Sequence, residues 1–212
     1  MFDGYSIGAE NKEKEMKSIK IEGKSRGDFG KKHTRHLRSE GQVPCVIYGS
    51  ENIHFSAPQL AFRSLVYTPD FQLADISVDG KAFKCIMKDL QFDVVTDELS
   101  HIDFLELADD RKVTANLPLK FVGTSPGVKA GGRLEIKMKS IKVRTLTKYL
   151  KEAIEVSIDT LELNGNIRVQ DVIADNMEIM NSPRFPIASV VMTRALKQAE
   201  SDDAAAKTAA KK

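Results

Sequence analysis

The sequence holds little that could do covalent chemistry or cross a membrane. Its 212 residues include two cysteines, Cys45 and Cys85, far apart and without a second thiol or a histidine at metal-ligand spacing. That excludes a CxxC redox motif, a zinc site and a disulfide framework, and both thiols read as small buried hydrophobes. No apolar run approaches the roughly 18 residues of a membrane span. The first fifteen residues, MFDGYSIGAENKEKE, lack the apolar core of a secretory signal, so the expected address is the cytoplasm. A Walker loop, a dinucleotide fingerprint, an HExxH helix and a nucleophile elbow are all missing. GVKAGG (127–132) is glycine-rich, but it lacks the lysine-serine/threonine ending of a phosphate loop and reads as a chain turn. No catalytic residue, cofactor, metal or small-molecule substrate is expected.

What the sequence does have is an uneven distribution of charge. The net charge is only +2. Between residues 17 and 38, however, eight basic residues stand against Glu22 and Asp28, a net of +6. The rest of the chain carries 24 basic and 28 acidic residues, a net of −4. Such asymmetry fits either a localised anionic partner or a solvated charged face.

Two β-rich units are expected, at about 16–110 and 111–196, with 1–15 a flexible extension and 197–212 a disordered low-complexity tail. In the first, Ile19 and Ile21 alternate with Lys20 and Glu22 as in a half-buried strand. Residues 31–39 then form a short helix closed by Gly41, with Lys31, Arg35 and Arg38 on one face. VPCVIYG (43–49) reads as a buried strand whose Pro44 favours an edge or a strand start. SAPQLAFRSLVYTP (56–69) reads as a second short helix capped by Ser56. Asp79-Gly80 marks a tight hairpin, and SHIDFLEL is a further strand. In the second unit, LEIKMKSIKVRTL reads as one strand with a bulge near Ser140, aligning Lys137, Lys139, Lys142 and Arg144 on an outer face. That stripe could be solvated or could meet RNA or an acidic protein.

On a strand, His101 and Asp103 project to the same side. The pair could be an acid–base couple, though no nucleophile accompanies it, or an ordinary surface pair. It could also be part of a nucleic-acid interface, where an aspartate accepts from base edges or holds an arginine while Lys and Arg take phosphates. Tyr48 offers a ring and a hydroxyl for the same purpose.

Two stretches in order, GKKHTRHLRSEGQVPCVIYG (30–49) and LQFDVVTDELSHIDFLEL (90–107), resemble the bacterial large-subunit ribosomal proteins that bind 5S ribosomal RNA. LPLKFVGTSPGVKAGGRLE and IEVSIDTLELNGNIRVQDV resemble the C-terminal domain of the family's longer Ctc, or general-stress, form. The resemblance covers about residues 16–195. It implies a mainly β protein in which a six-stranded type of barrel with short helices grips the loop E region of 5S RNA, followed by an all-β domain. Family contact positions fall on Arg26, Lys31, Arg35, Arg38, Tyr48, His101 and Asp103, and Lys32, His36 and Gly49 of the same motifs complete the expected RNA-binding set. His36 departs from the second consecutive basic residue common in the family. The implied role is a structural constituent of the large ribosomal subunit. The alternative is a stress-linked, ribosome-associated interaction protein acting through its C-terminal domain. Related barrels also serve as anticodon-binding appendages of tRNA synthetases, but no catalytic domain accompanies this one.

Overall fold

A computed structural model describes residues 16–108, 111–194 and 198. The expected extension at 1–15, and the expected tail apart from Gln198, lie outside the described residues. Six strands close a barrel: β1 (Ser18–Ser25), β2 (Gln42–Tyr48), β3 (Ile53–Pro58), β4 (Leu73–Val78), β5 (Lys81–Phe92) and β6 (Leu99–Glu106), in the order β1-β3-β2-β6-β5-β4. Parallel pairing of β4 with β1 completes the ring, so no strand of it is left as an open edge.

The barrel interior is lined by alternate residues of its strands. Val43, Cys45 and Ile47 of β2 point inward, as do Phe55 and Ala57 of β3 and Ile102 and Phe104 of β6. The taper is filled by aromatics, with the Phe104 ring 6.0 Å from Phe55 and 6.1 Å from Phe62 between centroids. Burial pushes the Cys45 and Cys85 thiols up, Cys85 to about 12, so both stay protonated and inert. The β4–β5 hairpin turns on Asp79 (φ 48°) and Gly80 (φ 85°), the two left-handed residues of a type I′ turn.

One local expectation in the barrel is corrected. Ser56 does not cap a helix: Ile53–Pro58 is extended as β3, and Ser56 pairs with Pro44 and Lys24. The helix begins later, as a 3-10 turn over Gln59–Phe62 running into one α turn, Arg63–Val66. Pro44 lies inside a strand flanked on both sides, yet it sits one residue before the ladder with β6 begins at Cys45, so its missing N–H breaks no bond there.

The C-terminal region contributes β7 (Lys112–Val122), β8 (Arg133–Ile136), β9 (Ser140–Leu146), β10 (Ile154–Ser157), β11 (Asn166–Arg168), β12 (Glu178–Ile179) and β13 (Pro186–Val191). They form two sheets, β10-β7-β9-β12 and β11-β13-β8, over a core that includes Leu117, Ile141, Val143, Ile187 and Val190. LEIKMKSIKVRTL is therefore not one bulged strand. Its halves, β8 and β9, belong to different sheets, and the crossing at 137–139 is held by the amides of Lys137 and Met138 donating to the Ile187 carbonyl. The basic stripe is divided accordingly: Lys142 and Arg144 share the outer face of β9, whereas Lys137 and Lys139 sit on the crossing.

Ile86, on the outer wall of β5, is 1% exposed because it joins the C-terminal core along with Phe71, Leu73, Leu105 and Leu107. The Lys17 amide donates to Glu152 across the same junction (3.0 Å). One flank of the barrel is thereby covered, while the flank carrying β2, β3 and the helix at Lys31–Ser39 faces outward. Among the described residues, no helix is long and apolar enough to cross a membrane.

Candidate nucleic-acid interface

Helix α1 (Lys31–Ser39) carries most of the charge. Gly30 starts it at φ 117°, ψ 170°, a conformation open to glycine alone, and its carbonyl accepts from both the amide and the hydroxyl of Thr34 (3.1 and 2.7 Å). Gly41, at φ 74°, ends it, with its amide on the Arg38 carbonyl (3.1 Å). No residue of α1 is buried, and only Thr34 and Leu37 are half-buried, so the helix rests on β2 through a narrow contact. Lys31, Lys32, Arg35, His36 and Arg38 are all exposed. Among the described residues Lys31, Lys32 and Arg35 have no ion-pair partner, whereas His36 sits 3.3 Å from Glu40. Arg38 is fixed: its Nε donates to the Ser100 carbonyl of β6 (3.0 Å).

That tether brings the helix to the strand of His101 and Asp103. Both point away from the barrel core, since Ile102 and Phe104 between and beside them are fully buried. His101 Nδ1 and Asp103 Oδ1 face each other at 3.4 Å with their side chains 23% and 19% exposed. Neither atom makes a hydrogen bond, and Arg26 Nε nearby is likewise unsatisfied. These three polar atoms are buried without a hydrogen bond, and it is the exposed remainder of the His101 and Asp103 side chains that can accept from or donate to a group arriving from outside.

Register explains how distant residues meet. Val46 of β2 lies opposite His54 of β3 on one side and Asp103 of β6 on the other. Arg26 continues the row, its amide donating to the His54 carbonyl (2.9 Å) and its Nη2 to the Asp28 carbonyl (3.2 Å). Burial lowers the His101 pKa below 6.5; Asp103 opposes the shift, and Arg38, Arg26 and His54 add to it. The imidazole is therefore neutral at physiological pH, one nitrogen donating and the other accepting.

Tyr48 closes β2 two residues beyond Val46 and is 38% exposed. The turn after it is tight: a Cβ on Gly49 would meet the Glu106 side chain, with Glu106 Cδ at 3.0 Å and Cβ at 3.1 Å. Gly49 shapes the mount of Tyr48 and offers no side chain of its own. The fold brings Arg26, Arg38, His101 and Asp103 into one cluster, places Tyr48 on the neighbouring strand, and leaves Lys31, Lys32, Arg35 and His36 along α1. Sequence reasoning passed over His54. Its signal was the alternation His54, Ser56 against Phe55, Ala57, hidden by the cap-like Ser and Pro.

The molecule is thus a small closed β-barrel flanked by a basic helix and extended by a second β region. Comparison with known proteins matches both parts. The model of the "Ribosomal L25p family" matches residues 21–104, and that of "Ribosomal protein TL5, C-terminal domain" matches residues 112–194. The chain is 40% identical over 186 residues to a Large ribosomal subunit protein bL25 of Cytophaga hutchinsonii, covering 87% of this chain and 97% of that protein. It is 36% identical over 192 residues to that of Phocaeicola vulgatus and 35% over 187 residues to that of Porphyromonas gingivalis, with the same coverage of each. The chain belongs to the Ribosomal L25p family.

Proposed function

We propose that this chain is a non-enzymatic, structural constituent of the large ribosomal subunit in the cytoplasm, and that its partner there is the loop E region of 5S ribosomal RNA. Residues 16–110 form the RNA-binding unit, and residues 111–196 a β domain behind it. Lys31, Lys32, Arg35 and Arg38 lie on phosphates, which need charge but no sequence. His36 adds a hydrogen-bonding imidazole beside them. Arg26, Tyr48, His101 and Asp103 address the groove, with Gly49 holding the turn beneath Tyr48. A carboxylate is repelled by phosphate, so Asp103 accepts from a base amine or holds an arginine. An irregular RNA helix such as loop E exposes base edges that a regular A-form groove hides.

The observation that carries this reading is the convergence of the partly exposed Arg26, His101 and Asp103 side chains beside a helix whose Lys31, Lys32 and Arg35 have no ion-pair partner among the described residues. Sucrose-gradient sedimentation of cell extract tests it. The full chain is expected in the large-subunit fraction, and an Arg35→Glu/Arg38→Glu variant at the top of the gradient. Wild-type chain found only in the free pool would overturn the assignment.

A further inference from the structure

The loop between β1 and α1 holds a residue that neither packing nor charge accounts for. Phe29 is 60% exposed, although it stands between Arg26 on one side and Lys31 and Lys32 on the other. It is not loose: its ring meets the His54 imidazole edge-to-face, centroids 4.8 Å apart and planes at 71°. His54 is itself positioned by the Arg26 amide on its carbonyl and by its place in the outward row with Val46 and Asp103. A benzyl ring is thus braced at the edge of the polar cluster, with most of its surface in water.

We infer that Phe29, braced by His54, is a stacking platform for an unpaired base of the bound RNA. The inference rests on the RNA-binding reading above and adds a contact to that same site. The chemistry favours a base over a protein side chain as the occupant. The apolar patch is one ring, and the chain on either side of it carries Asp28, Arg26, Lys31 and Lys32, charges that an apolar protein surface would have to desolvate. A nucleotide satisfies both at once, its phosphate on Lys31 or Lys32 and its π face on the ring. His54 sets the ring orientation, so the loop loses little further freedom on binding.

The chain contains no tryptophan, so a Phe29→Trp variant carries a single indole reporter in the full-length protein. Titrated with 5S ribosomal RNA, that indole is expected to be quenched to saturation. Phe29→Ala is expected to weaken binding roughly tenfold with the salt slope unchanged, because stacking releases no counterions. Lys31→Ala, by contrast, should make the slope shallower by about one. An indole that stays bright in the saturated complex, a Phe29→Ala variant with wild-type affinity, or a Phe29→Ala variant with a shallower slope would each overturn the inference. Failure of wild type to bind 5S RNA at all would instead remove the reading on which it rests.

Discussion

His101 shows how much one side chain owes to its surroundings. Burial outweighs the attraction of Asp103 and holds its pKa below 6.5. Below pH 6.5 the unfolded chain therefore takes up a proton that the folded imidazole refuses. The stability tied to this group is full above pH 6.5 and is lost as the pH falls toward the folded pKa. Wild type is accordingly expected to lose more thermal stability between pH 7.5 and 5.5 than a His101→Gln variant does, as read by melting temperatures; equal losses would show that His101 titrates normally. Asp103→Asn is expected to narrow the preference for 5S RNA over tRNA by about 1–3 kcal/mol while leaving non-specific binding unchanged. The pairing of His101 with Asp103 was legible in the sequence, because residues two apart on a strand share a face. The approach of Arg26 and Arg38 to that pair was not. It depends on β1–β3 and β2–β6 register and on a hydrogen bond from Arg38 to Ser100, 62 residues away.

At the scale of elements, α1 is the part most easily uncoupled, since it buries no residue and begins on a glycine-only backbone. An alanine at Gly30 would meet strain of about 1–3 kcal/mol at that φ and ψ. With so little packing to resist it, the strain should melt the helix locally rather than the protein globally. Gly30→Ala is thus expected to remove amide-exchange protection over residues 34–39 with little change in melting temperature; protection kept as in wild type would contradict this. The helix itself was readable from its charge spacing and the closing Gly41, and the β4–β5 hairpin from Asp79-Gly80. Elements defined by partners were not readable. Ser56 and Pro58 mimic a helix start, but Phe55 and Ala57 are needed inside the barrel and keep the segment extended. The LEIKMKSIKVRTL stretch alternates as one strand would, and only the two sheets that receive β8 and β9 reveal the break.

For the whole molecule, the C-terminal sheets and the basic flank divide the barrel's outer wall between them. Ile86 and Leu105 face the C-terminal core, while α1 and Arg26, beside β2 and β3, carry the cations. Binding should therefore depend on α1 and the cluster beside it. The total charge of the chain, close to neutral, says little about it. The most direct measurement is a filter-binding titration of the full chain against 5S ribosomal RNA, with tRNA as competitor, across a salt series. If four to six phosphates are neutralised, log K should fall with log salt at a slope of about −3 to −5, and excess tRNA should not displace the RNA. A flat salt response, or displacement by equimolar tRNA, would contradict the account.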